Sequence, residues 1–304
     1  MNYSQEGGKM GYKYEWFNYI VASVDILGQK SAFKEIKDKL ILEVSPAKLQ
    51  EISEKTIDIV ERFRKSFFNY YKRYLRKTEV SEEYKAEYEK MIKEQEIKLK
   101  FFSDTIIISL AIKPNKFQAI NIIHIPAILT SIGGMLLSML YDRHSFRAGI
   151  ELGIATELEN KELENKDIYG PALIKAYCLE NRIAKYPRIV IGSNLIEYLK
   201  FLSEGNPIIN NQIKMDIERC KKIAKSCLSM IDTDFDGYPI FDYLGENFRN
   251  KILSKIEISQ EIISGAYDFV KREHEYRKNS VQNEENKKLA LKYLRLLNYF
   301  EKRL

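Results

Sequence analysis

Two aspartates carry most of the chemical capacity of this sequence. Asp25 closes the apolar run Tyr19–Val24 and is followed by Ile26, Leu27 and Gly28, while Asp104 follows Phe102-Ser103 between two apolar stretches. A carboxylate at the exit of a buried strand, with the amides of a turn beside it, can hold a divalent cation next to a phosphate. Taken alone, Asp25 reads at least as well as a turn or helix-capping residue. Two such carboxylates meeting at one sheet edge suit two divalent metals and a triphosphate. Arg147, on a later strand, would add a guanidinium that grips phosphate oxygens in a fork.

The elements that must position these groups follow from periodicity. In the first strand, Phe17–Asp25, Ile20, Ala22 and Val24 face one side and Tyr19, Val21 and Ser23 the other. Both sets are mostly apolar, so the strand is expected to be covered on both faces. Gly28 allows a tight turn before a helical stretch, Lys30–Leu42. Glu96–Phe102 and Thr105–Leu110 read as a hairpin with Asp104 at its tip, and Ser145–Gly153 as a further strand. The glycines inside that last strand suggest a bulge or a close backbone approach. Glu157–Lys166 reads as a charged loop, Pro171 opens a helix, and Arg188–Gly192 is a short strand.

Around these lie helices. Residues 46–95 read as an inserted helical pair broken near Thr78–Ser81, and everything after Gly192 as helical with interruptions. Phe117–Leu140 is apolar and long enough to span a membrane. Its polar residues and its place between two strands favour a buried helix, part of it at a subunit interface. Asp232, Asp234, Asp236 and Gly237 suggest a calcium loop, but the position that needs a glutamate is Tyr243, so the segment reads as a turn between helices. The expected fold is α+β: residues 1–193 form a sheet domain with the 46–95 insertion, and 194–304 form a helical region.

Composition excludes some functions. The 304 residues are 45% hydrophobic and 30% charged with a net charge of +6, ordinary for a folded globular chain. Basic residues are interspersed with acidic ones, which argues against nucleic acid and equally well suits an anionic small molecule. The basic aromatic section Arg62–Arg76 reads as an amphipathic helix with a core stripe. Three cysteines without CxxC spacing suggest free thiols in a reducing cytoplasm, and three scattered histidines read as structural. Met1–Met10 has no signal-peptide character.

With these elements in order, the chain resembles the class III nucleotide cyclases, the catalytic domain of adenylate and guanylate cyclases. The resemblance is carried by Val24–Gly28, Phe102–Asp104, Arg147–Gly153, and Tyr169-Gly170 leading into Ala176 and Leu179-Glu180, over about residues 17–193. The wording is similar to one branch in particular, the pyrimidine cyclases of bacterial antiphage Pycsar systems. Ile168–Leu173, Ala176-Tyr177, Ala184, Tyr186–Ile189, Asp234–Gly237 and Phe241–Leu244 carry that likeness.

The resemblance implies a ferredoxin-like antiparallel sheet and two divalent cations, Mn²⁺ or Mg²⁺, held by Asp25, Asp104 and the Ile26 carbonyl. It implies phosphates met by the amides from Ile26 through Leu27 and Gly28 to Gln29, and by Arg147. It also implies a cytoplasmic homodimer with active sites at the interface. The product would be cyclic UMP or cyclic CMP made from UTP or CTP, acting on a separate effector, with no membrane and no nucleic acid involved. Two positions depart from the family: the helix Asn and Arg that act in purine cyclases fall on Ile174 and Cys178, so Lys175, Tyr177 or Arg182 would have to substitute. Lys100 and Asp167 stand where adenylate cyclases read adenine; their plainer reading is an exposed strand residue and a helix N-cap. The alternatives are therefore an adenylate cyclase, or a non-catalytic nucleotide-binding module on a cyclase fold.

Overall fold

The computed structural model describes residues 14–28, 33–34, 36, 38–94, 97–114, 118–160, 165–280 and 284–304. Its strands are β1 (Trp16–Ile26), β2 (Lys98–Phe102), β3 (Thr105–Ile112), β4 (Phe146–Asn160), β5 (Asn165–Tyr169), β6 (Ile189–Ile191), β7 (Ile231–Thr233) and β8 (Pro239–Phe241). The longer helices are α1 (Pro46–Arg76), α2 (Glu82–Glu94), α3 (Gln118–Ile122), α4 (His124–Tyr141), α5 (Pro171–Cys178), α6 (Ser193–Ser203) and α7 (Lys214–Leu228). After β8 come α8 (Glu246–Lys251), α9 (Leu253–Ile256), α10 (Gln260–Asn279) and α11 (Glu284–Glu301). The fold is α+β, with antiparallel pairing dominant.

The strands form one sheet in the order β2-β3-β1-β4-β6-β8-β7, with β5 paired to the far half of β4. β1 is central and runs antiparallel to both β3 and β4, while β4 and β6 are parallel. As its alternation requires, both faces of β1 are covered. Ile20, Ala22, Val24 and Ile26 join the main core, whereas Tyr19 and Val21 join Ile107, Ala155, Ala172 and Ala176 in a second, smaller cluster under α5.

The main core is built by α1 and α4. α1 turns Ile52, Ile59, Phe63, Phe67, Tyr70, Tyr71 and Tyr74 inward at helical spacing, and its start is fixed by the Lys48 amide donating to Ser45 Oγ (3.3 Å) with Pro46 in the first turn. The apolar segment becomes α3 and α4, and 94% of its most apolar window is buried inside this one chain. It is a core helix. The expectation that part of it lies at a subunit interface is overturned, because in α4 only Ser138 and Tyr141 are not fully buried.

The C-terminal third differs from a purely helical reading. Asp232–Tyr238 is not a turn between helices: Asp232 and Thr233 belong to β7, residues 234–238 bend into β8, and the hairpin extends the sheet at the edge beyond β6. A Cβ at Gly133 would lie 2.6 Å from the Phe241 ring, and one at Gly134 2.6 Å from Ile256. The Gly133-Gly134 pair thus lets the C-terminal elements pack directly on α4, in one core continuous with the sheet.

Two short segments need comment. Part of the Lys30–Leu42 stretch lies outside the described residues; within it Phe33 is helical, and a 3₁₀ turn runs from Ile41 to Glu43. Glu157–Lys166 is no loop: β4 runs on to Asn160 and pairs with β5. Asp167 accordingly sits within β5, and the N-cap of α5 is Gly170.

Candidate active site

Strand pairing gathers the carboxylates. Asp25, one residue from the end of β1, stands between Thr105 of β3 and Arg147 of β4. The Ile26 amide donates to the Asp104 carbonyl (2.9 Å), and the Leu27 amide to the Ser145 carbonyl (2.9 Å). The hairpin tip and the β1 exit are therefore stitched together by backbone bonds, and Asp25 and Asp104 meet at one sheet end. Ser103, just before Asp104, holds φ 59°, a conformation that costs a side-chain-bearing residue and that a two-residue hairpin turn asks of its first central position. Gly28 holds φ 93°, which the turn requires and glycine supplies. Gln29 lies outside the described residues.

Arg147 reaches this point, but its guanidinium is turned toward acid. Its Nε donates to Asp25 Oδ2 at 2.9 Å and lies 3.0 Å from Glu180 Oε1, while Nη1 donates to the carbonyls of Asn181 and Ala184. Its immediate work is to hold Asp25 in place.

Glu180 is the site residue that the chemical reading missed. It is 2% exposed and sits in a π-helical turn, Leu179–Ile183, that continues α5. π-turns inside helices occur often at functional sites. The turn approaches because β4 has a glycine beneath it: a Cβ at Gly149 would lie 2.5 Å from the Glu180 amide nitrogen. Burial first, and then the charges of Asp25 and Asp104 against the opposing Arg147, push the Glu180 carboxyl up to about 7. Its Oε1 and the Ser23 hydroxyl are buried without a well-aligned hydrogen bond, since the Arg147 Nε–H is already spent on Asp25. The signal in sequence was the glycine-rich strand Arg147–Gly153, which announced a close approach without saying what approaches.

The same face of the sheet carries Lys100 and Asp167. Lys100 stands opposite Ile107, which stands opposite Ser23. The β4–β5 hairpin brings Asp167 across to it, with Nζ 3.3 Å from Oδ1. A neighbouring pair, Lys98 with Glu157, is also joined to the Tyr19 hydroxyl. On α5, Ile174 is 63% exposed and Cys178 half-buried. Of the residues near them, Lys175 bonds Asn194 and Tyr177 bonds Asn181, leaving Arg182 exposed with no ion pair among the described residues.

The C-terminal helix closes one side of the site. Lys292 on α11 feels both Arg147 and Asp25; burial, then the Arg147 charge, lowers its ammonium below the usual lysine range. Next to it, Tyr293 lines one cavity together with Ser145, the residue that receives the Leu27 amide. Sequence spacing gave no hint of this, because α11 arrives only through tertiary packing.

Asp25, Asp104 and the Ile26 carbonyl are hard oxygen donors, the class that suits Mg²⁺ and Mn²⁺. Among the described residues, no group of three or more His, Cys, Asp or Glu is gathered that could hold an ion. Two carboxylates and a carbonyl fit an ion that is bound jointly with ligand phosphates.

No protein-family model and no curated protein matches the sequence. Among solved structures, the chain is similar to the adenylyl cyclase CyaB from P. aeruginosa, with 15% identity, a TM-score of 0.39, and coverage of 62% of this chain and 83% of that one. It is similar to the guanylyl cyclase Cya2, with 12% identity, a TM-score of 0.33, and coverage of 60% and 79%. It is also similar to the monomeric guanylyl cyclase domain of the RhoGC fusion protein from the aquatic fungus Blastocladiella emersonii, with 14% identity, a TM-score of 0.33, and coverage of 62% and 89%.

Proposed function

We propose that this chain is a nucleotide cyclase of the class III type that converts UTP or CTP to the 3′,5′-cyclic monophosphate and pyrophosphate. The observation that carries the reading is the meeting of Asp25 and Asp104 at one sheet end, fixed by the Ile26–Asp104 backbone bond. Beside them the sheet face bearing Lys98 and Lys100 is only partly covered.

In the reaction, the ribose 3′ oxygen bonds to the α-phosphorus, the bond to the bridging oxygen of the β-phosphate breaks, and the hydroxyl proton is released. Asp25, Asp104 and the Ile26 carbonyl would hold the divalent cations. When bound, these supply acidity to the 3′ hydroxyl and charge neutralisation to the triphosphate. The amides after Ile26 orient phosphate oxygens at the Leu27–Gly28 turn. Arg147 keeps Asp25 aligned and contributes positive charge as phosphate charge arrives. Glu180, buried behind Arg147, sets where that guanidinium rests.

A homodimer is part of the proposal. Phe102, on the α5 face of the sheet, and Ile174 and Tyr177, on α5 itself, are exposed large apolar side chains, and a second copy would cover them. A site shared between protomers would let the partner's surface supply groups that Ile174 and Cys178 do not. The cytoplasmic setting, the separate effector and the role in antiphage defence rest on the resemblance to the Pycsar branch.

The test is incubation of the purified protein with Mn²⁺ and each of ATP, GTP, CTP and UTP, with products read by mass spectrometry. A cyclic pyrimidine is the expected product. A folded Asp104→Ala protein should lose at least a hundredfold in turnover, and full activity in that variant would remove the metal assignment. A second reading, an adenylate cyclase, is favoured by the Lys100–Asp167 ion pair. It predicts cyclic AMP as the product and loss of that preference in Lys100→Ala. No product from any nucleotide would favour a binding module.

A further inference from the structure

Behind the Leu27–Gly28 turn lies a cavity of about 460 Å³, within the size range of small-molecule sites. The turn and the Arg143–Ser145 segment leading into β4 form its floor, and its walls come from α1, α10 and α11. Four cationic side chains line it: Lys48, Lys55, Arg143 and Arg277. Two carboxylates, Glu51 and Glu273, line it as well, and both are already paired. Glu51 takes Lys48 (3.0 Å) and Lys55, and Glu273 takes Arg277 (3.2 Å). Arg143 forms no ion pair among the described residues. The cavity is therefore net positive, and Lys48 stands in the first turn of α1, where the helix dipole adds positive potential.

The backbone at Arg143 is an independent observation. α4 ends with the His144 amide donating to the Met139 carbonyl (2.7 Å) and the Arg143 amide to the Leu140 carbonyl (3.1 Å). This is the helix-terminating arrangement in which the residue in Arg143's place turns left-handed, here at φ 65°, and in which glycine is favoured. An arginine held there works against its own backbone, and strain beside a cavity points to use.

We propose that this cavity is an oligophosphate subsite built in cis by the helical insertion and the C-terminal helices, with Arg143 as its anchoring cation. A guanidinium offers a phosphate two parallel donors, and Lys48 and Lys55 add compact charge once an anion competes with Glu51. The cavity floor includes Leu27 and Gly28, the turn that follows Asp25 and Ile26 at the exit of β1. The identity of the anion as the triphosphate tail or the released pyrophosphate rests on the cyclase reading; the cavity and its charges do not.

The experiment is isothermal titration of the full chain with inorganic tripolyphosphate, inorganic pyrophosphate and UTP, for wild type, Arg143→Gly and Lys200→Gln. Arg143→Gly relieves the left-handed strain, so its melting temperature should be unchanged or higher, and loss of binding cannot be loss of fold. The expected result is at least tenfold weaker binding of the inorganic anions by Arg143→Gly, with Lys200→Gln, an exposed lysine on α6, like wild type. UTP weakened in parallel assigns the subsite to the substrate tail, and UTP unchanged assigns it to free pyrophosphate. The proposal is overturned if wild type binds neither inorganic anion, if Arg143→Gly binds them within twofold, or if Lys200→Gln weakens them equally. Oligophosphate binding that depends on Arg143 without any cyclic product would uphold the subsite and remove the cyclase reading.

Discussion

A carboxyl group at 2% exposure, as Glu180 is, must be neutral or paired, because an uncompensated charge in such a place costs several kcal/mol. Glu180 is both crowded by Asp25 and Asp104 and faced by Arg147, and it rests near 7. An unfolded glutamate titrates near 4.5. Between those values the unfolded chain releases its proton while the folded chain keeps it, so stability falls as pH rises from about 4.5 to about 7 and stays lower above. The difference is on the order of 3 kcal/mol. Glu180→Gln, with EDTA present, is expected to remove this slope, so that melting temperatures at pH 5 and pH 8 differ less than in wild type. An unchanged slope would mean that Glu180 is charged throughout. The metal-ligand candidates Asp25 and Asp104 stood out in the sequence because each ends an apolar run; Glu180 did not, because its burial depends on Gly149 lying beneath it.

At the scale of elements, the β7–β8 hairpin is held to the sheet by a buried charge cluster. Arg188 is 2% exposed; it pairs with Asp234 and bonds Asp236 at 2.6 to 2.9 Å, and the Tyr186 hydroxyl donates to Asp234 (2.6 Å). Arg303 of the last turn grips Asp232 and Asp242. These aspartates, whose spacing suggests a calcium loop, are thus occupied by arginines. Removing one partner of such a cluster leaves the others buried and unpaired, so Arg188→Met should lose about 3–5 kcal/mol, read by urea denaturation. Asp232→Asn, at the exposed rim, should cost under about 1 kcal/mol. If the two variants were equally stable, Arg188 would not be the anchor. The hairpin at Asp104 shows the converse case, since its strands and tip were legible from alternation and a two-residue polar break.

At the scale of the whole molecule, the C-terminal third shares one core with the sheet: Phe241, Tyr243, Phe248 and Phe300 are buried beside α4 and the strands. Truncation after Gly192 should therefore give an insoluble or unfolded product rather than a smaller domain, assayed by expression and circular dichroism. A folded, cooperative truncation product would show the first 192 residues to be autonomous. The exposed apolar side chains make the second prediction: Ile174→Asp should leave the melting temperature within a few degrees of wild type, but shift the protein toward monomer in analytical ultracentrifugation. If wild type is itself monomeric, the dimer proposal falls. The sequence by itself determined the sheet-forming runs, the α+β order of elements, the inserted helical pair and the two aspartates at strand ends. It did so because these rest on local alternation and helical spacing, which are properties of neighbours in the chain. Only the tertiary structure decided that the apolar α3–α4 segment is sealed within one protomer and that Arg147 leans on Asp25. It alone decided that Glu180 sits over Gly149, that Lys100 meets Asp167, and that α1 and α11 wall the Leu27–Gly28 turn. Each of these depends on a close approach between elements far apart in sequence, set by which side chains are small enough to allow it.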